Sequence, residues 1–326
     1  MESVATAARR LIASTVLMCS ASLAWPAESF PVRPVRMIIP SGAGGITDIL
    51  GRVIAAKLTD SLGQQVIVDN RPGASGIVGS QIVAKATPDG YTLLMVFPSH
   101  PVNPALYPDI AYDTASAFAP ISMVSAVAPV LIVSSQSPAR SMAELISLAK
   151  AKPEQLNHGS VGSGSMGSLA AELLRPLAGI RFTQVAYKGA PQAVTALLSG
   201  EIDFYMMGSA GTAVSLVKAG RIRALGVGAK QRLSILPEVP AIGESVPGYE
   251  ARGWNGVLAP AGTSKAVIER LHREIVKVVR SPEFLQLLTN EGATPVANTP
   301  AEFDAIIRAD LAKWARVIKE NGIRAQ

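Results

Sequence analysis

The chain has 326 residues, enough for one large domain or two lobes of about 100–150 residues each. Hydrophobic residues make up 48%, which supplies a core and excludes global disorder. The net charge of +6 comes from scattered Lys and Arg, so no nucleic-acid footprint is read and no nucleic-acid partner is expected.

At the N-terminus, Arg9-Arg10 precede the short apolar run Leu11 to Ala24. This pattern predicts a secretory signal peptide over residues 1–27, cleaved after Ala24 or Ala27. The competing reading is a lipoprotein signal acylated at Cys19, but Met18 is bulky for the position before the cysteine. Cys19 is the single cysteine, so the mature chain has no disulfide, thiolate metal site or cysteine nucleophile. No later segment has the apolar length to span a bilayer. The expected product is exported and soluble, located in the periplasm of a bacterium.

Val35 to Ile39 reads as a strand, Thr47 to Leu62 as a helix with Ile49, Leu50, Val53, Ile54 and Leu58 on one face, and Gln65 to Val68 as a strand. After the turn cluster Asn70-Arg71-Pro72-Gly73, a helix over Ile77 to Ala86 and a strand over Thr92 to Phe97 complete a β-α-β-α-β series. The pattern restarts with a strand over Pro129 to Ser134 and a helix over Met142 to Ala151, capped by Ser141 with Glu144. Strands follow at Asn157 to Ser160 and Phe182 to Val185, with helices at Ser168 to Leu177 and Ala190 to Ser199. An apolar strand after Asp203 and a strand over Ile222 to Val227 end this series. The extended segment Gly253 to Pro260 and helices over Lys265 to Val279 and Pro300 to Asn321 return the chain to the first unit. The expected fold is α/β with two lobes: residues 28–126 plus 252–326, and 127–251. Each is a mainly parallel sheet flanked by helices, with a ligand cleft between the lobes.

Two glycine loops join a strand to a helix, Ser41-Gly42-Ala43-Gly44-Gly45-Ile46-Thr47-Asp48 and Gly162-Ser163-Gly164-Ser165. The first resembles half of a dinucleotide fingerprint, and Asp69 ends the next strand where a ribose-binding acid belongs. Thr47 stands at the third glycine position, however, and no Gly-Lys-Ser/Thr ends the loop, so neither a Rossmann site nor a Walker loop is read and no cofactor is expected. Free N–H groups at a helix N-terminus hold a carboxylate as well as a phosphate. The plain alternative is a tight turn with Asp48 as helix cap.

Catalytic groupings are poor. His100, His158 and His272 form no metal-binding pattern, and the serines of the second loop do not complete a nucleophile elbow. His100 beside Ser99 is a candidate cleft residue, and Trp254 either lines a cleft or fills the core. Lys188 faces an anion or water.

Seven segments together resemble one family, the Bug-type extracytoplasmic solute receptors of tripartite tricarboxylate transporters. They include "FPVRPVRMIIPSGAGGITDILGR", "GQQVIVDNRPGASGIVGS", "AYKGAPQAVTALLSGEID" and "WNGVLAPAGTS", in the family's order. The resemblance implies a two-lobed, type II-like periplasmic binding fold closing on a small organic anion. It also implies that main-chain groups of Ser41 to Asp48 and of Gly162 to Ser165 hold a carboxylate. The ligand is then handed to a membrane permease of the tripartite tricarboxylate type, and no enzyme activity is expected. Ser41 and Ser168 depart from the usual family residues, as does Phe204 to Ala213, which bears on ligand identity. Ser99, His100, Met207, Ser209 and Trp254 are the expected lining of the far end of the cleft. A monomer is expected. The alternatives are a secreted serine hydrolase using Ser165 and the effector domain of a regulator; the signal peptide argues against the latter.

Overall fold

The computed structural model describes residues 30–162 and 164–324, with the Thr212 side chain outside the description. The predicted signal peptide, Cys19 and Ser163 lie outside the described residues. In chain order the elements are β1 (Val35–Ile39), α1 (Ile46–Leu62), β2 (Val66–Asn70), α2 (Ile77–Ala84), β3 (Thr92–Val96), α3 (Asn103–Leu106) and β4 (Phe118–Val127). Next come β5 (Val130–Ser134), α4 (Met142–Ala151), β6 (Asn157–Ser160), α5 (Met166–Ala178), β7 (Thr183–Ala186), α6 (Ala190–Ser199), β8 (Phe204–Met207), α7 (Ala210–Lys218) and β9 (Ile222–Val227). The chain ends with β10 (Gly253–Pro260), α8 (Lys265–Val279), α9 (Pro282–Asn290), β11 (Ala293–Pro295) and α10 (Pro300–Glu320).

The strands form a six-stranded sheet, β11-β4-β10-β3-β1-β2, and a five-stranded sheet, β7-β6-β8-β5-β9. Both lie within the compact unit Arg33–Gln326. Strands before β5 and after β9 build the first sheet, so the chain passes between the sheets at 128–129 and at 228–252. The expected mainly parallel sheets are in fact mixed. β1 pairs parallel with β2 and β3, and β6 with β7 and β8. β10 runs antiparallel between β3 and β4, and β5 antiparallel between β8 and β9. A strand returning from the other sheet needs no βαβ crossover, so nothing obliges it to be parallel.

Helix caps follow the local sequence. Ser141 accepts the Glu144 N–H, and Thr299 with Glu302 forms a full capping box. Gly63 closes α1 at φ 69°, a backbone that glycine adopts without steric cost.

The C-terminal helix α10 contributes to both cores. Phe303 and Ile307 pack with Ile38, Leu94 and Trp254 over the first sheet. One end later, Trp314, Val317 and Ile318 join Leu131, Leu169 and Leu173 in the core of the second. Val102 and Leu106, around α3, join that same second core. These apolar faces bury where the nearest apolar surface lies, whichever sheet carries it.

Candidate functional site

β1, β2 and β3 run in one direction, and the loops leaving their C-terminal ends gather at one edge of the first sheet. Ligands of open α/β sheets bind outside the carboxyl ends of such strands. The loops are Pro40 to Gly45, Arg71 to Gly76 and Phe97 to Val102. In the second lobe, β6 and β8 deliver Val161, Gly162, Gly164 and Ser165, and Gly208 to Ser209. The two sets meet: a β-carbon at Gly164 would lie 3.3 Å from Leu106 Cδ1 and 3.9 Å from Ser75 Oγ.

In the first loop, Gly42, Ala43, Gly44 and Gly45 are exposed, and Ser41 and Ile46 are half-buried. The Ser41 Oγ is shielded and has no hydrogen-bond partner among the described residues. Gly44 has φ +87° and needs glycine for that reason. Gly45 is the N-cap of α1 at φ −81° and ψ 165°, an ordinary extended conformation. Added β-carbons at Gly42, Gly44 and Gly45 would meet nothing within 4 Å. The start of α1 is therefore left without a side-chain cap and with open space in front of it.

Asp48 does not cap the helix in the ordinary way. It sits inside the first turn, where its carboxylate accepts the Gly44 N–H at 2.9 Å, Arg52 Nε–H at 3.0 Å and Asn70 Nδ2–H at 2.9 Å. Burial pushes this carboxyl up, but the Arg52, Gly44 and Asn70 hydrogen bonds outweigh that and hold it below the usual carboxylate range. Asp48 thus braces the loop, and the Gly44 N–H is engaged by it rather than free for a ligand. A folded-state value below the unfolded one means a stabilising contribution present above about pH 4 and lost as pH falls through the folded value. Asp48→Asn is expected to cost about 2 kcal/mol at pH 7. Denaturant unfolding of both proteins should show the gap closing as pH is lowered below about 4.

Thr47 also turns inward. Its Oγ1 donates to Asn255 Oδ1 at 2.9 Å, and Asn255 donates on to Ser125 Oγ, a buried chain that ties α1 to β10 and β4.

In the second loop, Gly162 has φ +122° and donates to Ser160 Oγ. Ser165 is the N-cap of α5: its Oγ accepts the Ser168 N–H at 3.3 Å and donates to Ser168 Oγ at 2.9 Å. Ser168 Oγ in turn lies 2.7 Å from Ser160 Oγ. The Ser165 proton is engaged by a neutral hydroxyl and not by a base, so the arrangement does not activate a nucleophile. His158 on the preceding strand is buried among Phe182, Phe204 and Tyr205, and its Nε2 accepts the Met206 N–H. Burial first, with Arg175 second, lowers its pKa to about 3, which keeps it neutral.

The residues expected to line the far end of the cleft have the following surroundings. His100 is 4% exposed and packs edge-on against Phe118, with its pKa lowered to about 4 by burial; it is a neutral core side chain. Met207 is buried in the second-lobe core with Val130 and Ala210. Trp254 fills the first core against Phe303, and its Nε1–H donates to Asp310 at 2.6 Å. Ser209 donates its hydroxyl to the Glu291 carbonyl, across to the turn before β11. Ser99 is buried and donates to the Ser75 carbonyl at 2.8 Å. Packing thus claims His100, Met207 and Trp254, while Ser99 and Ser209 stay in the loops at the strand ends, each bonded to neighbouring main chain.

Sequence reasoning missed the Gly73 to Gly76 turn, which brings Ser75 close to Gly164 of the second lobe. All four residues have positive φ, including Ala74 at 44° and Ser75 at 53°. A left-handed conformation costs a non-glycine residue about 1–2 kcal/mol. The Ser75 carbonyl is fastened by two donors, Ser99 Oγ and Asn103 Nδ2. The available signal was Pro72-Gly73 followed by a second glycine three residues on, which marks a special turn but not what it faces.

The model of the tripartite tricarboxylate transporter family receptor matches residues 50–323. The chain belongs to this receptor family. Among curated relatives of the receptor, the protein BugT of Bordetella pertussis is 35% identical over 97% of this chain and 98% of its own length. Among solved structures, Rpa4515 of R. palustris with adipate superposes with a TM-score of 0.79 at 34% identity, covering 90% of this chain and 99% of that one. The periplasmic binding protein BugD gives 0.76 at 30% identity over 91% and 100%. MatC of Rhodopseudomonas palustris with bound malate gives 0.75 at 29% over 89% and 100%. The receptor thus has the two-lobed fold of periplasmic binding proteins, and no helix among its described residues is long and apolar enough to cross a membrane.

Proposed function

We propose that this receptor is exported by its N-terminal segment, works as a monomer in the periplasm, and captures a small carboxylate between its lobes for delivery to a tripartite membrane permease. The lobes are divided as the sequence reading has it, with the far end of α10 moving with the second. The observation that carries the reading is the open start of α1: a glycine N-cap, no side-chain cap, and unfilled space at Gly42, Gly44 and Gly45. Unpaired N–H groups and the positive end of the helix dipole favour an anion there. The adipate and malate held by the similar structures support a carboxylate as that anion.

A thermal-shift screen of the purified protein against carboxylates and carboxylic esters tests the proposal. A bound carboxylate at a hundred times its Kd adds about 2.7 kcal/mol, expected to raise Tm by about 5–10 °C. Ester turnover that disappears in Ser165→Ala is the result that overturns a receptor without chemistry. The same variant is expected to show no turnover to lose and a stability lower by about 1 kcal/mol, from the missing helix cap.

A further inference from the structure

Ser75 is held where an L-residue rarely goes, and both donors that hold it come from the segment after β3. With Ser99 Oγ and Asn103 Nδ2 on its carbonyl, at 2.8 and 3.0 Å, the turn has little freedom left. The consequence is the position of its side chain. Ser75 Oγ stands 3.3 Å from the hydroxyl of Tyr107, just beyond α3. It also faces Gly164 of the other lobe, at a point where that lobe carries no side chain. Neither hydroxyl has another partner among the described residues. One hydrogen bond between the two uses one proton, so the pair retains one O–H to donate. Strain that is fastened in place at a cleft wall is a pointer to function.

We propose that Ser75 and Tyr107 are specificity-determining residues of the cleft, a hydroxyl pair that hydrogen-bonds a second oxygen function on the captured carboxylate. This rests on the receptor reading above. The first carboxylate meets main-chain N–H groups at the start of α1; the hydroxyl pair meets the other end. The favoured ligands are therefore dicarboxylates and oxygen-substituted acids, and simple monocarboxylates of the same length leave the pair without its ligand partner. A site built to hydrogen-bond a polar group discriminates strongly against the analogue that lacks it.

Isothermal titration of the full mature chain with two matched pairs tests this: adipate against hexanoate, and succinate against butanoate. The wild type is expected to prefer the diacid of at least one pair. Ser75→Ala and Tyr107→Phe are each expected to weaken that diacid about tenfold and to leave its monoacid within about twofold, the loss of one hydrogen bond to a charged group. The monoacid affinity and Tm serve as the folding control. Equal change in both members of a pair, no change in either, or no diacid preference in the wild type overturns the inference while leaving the receptor reading intact. Failure of the wild type to bind any of the four while another carboxylate of the thermal-shift screen binds overturns the inference alone; failure of every carboxylate of that screen overturns the receptor reading with it.

Discussion

Gly167→Ala is expected to lower the stability of the protein by about 3–5 kcal/mol and its Tm by about 10 °C. Gly167 lies in the first turn of α5, and a β-carbon there would sit 2.0 Å from the carbonyl oxygen of Met206 in β8. The obstacle is strand backbone, not the yielding tip of a side chain. Relief requires α5 to move off the sheet, and that helix carries Leu169, Ala170 and Leu174, all fully buried. Interiors packed at crystal density do not absorb such a shift cheaply. Met166, at the head of the same helix, also lies against the first sheet: a β-carbon at Gly253 of β10 would meet its Sδ at 3.1 Å. Displacing α5 therefore displaces the second glycine loop with it. Urea unfolding of the variant beside the wild type measures the effect. A loss below about 1 kcal/mol would mean that helix and strand slide apart freely, contrary to the packing described.

Gly45→Val is expected to do the reverse, leaving the fold nearly intact while weakening carboxylate binding at least a hundredfold. The conformation of Gly45 is one that valine adopts readily, and nothing in the protein lies within 4 Å of the added carbon. The cost to stability is that of a poorer N-cap, about 1 kcal/mol. The branched side chain would nonetheless occupy the space in front of the uncapped N–H groups, which the proposed carboxylate fills. Thermal melting and titration with the best carboxylate of the screen give the two numbers separately. Unchanged affinity in a stable Gly45→Val protein would remove the first loop from the binding site. Gly44→Val is a poorer test, because its φ of +87° makes any side chain strained there whatever binds.

Much of the fold was legible because its signals are local. β1, the helix 46–62, the capped helix after Ser141 and the amphipathic helices near the C-terminus follow from apolar periodicity and from cap residues within four positions. What went unread is decided by distant partners. β4 carries Pro120 and the small residues Ser122 and Ser125, and it is a strand because β10 and β11 pair with it from more than a hundred residues away. β11 is three residues ending in proline, and α7 begins with Ala-Gly-Thr; neither has a local pattern of its own.

The site divides along the same line. The sequence alone determined that two glycine loops follow strands and open helices, and that no metal-binding or nucleophile motif accompanies them. It also placed the chain in its receptor family, because seven ordered motifs are far more specific than one loop. It could not say which way side chains point. Only the tertiary structure sent His100, Met207 and Trp254 into cores and tied Thr47 to Asn255. The same packing turned the Gly73 to Gly76 segment toward Gly164. The physical reason is that a polar or aromatic side chain beside a cleft settles on the nearest surface or partner that satisfies it, and those neighbours come from strands brought together only by folding.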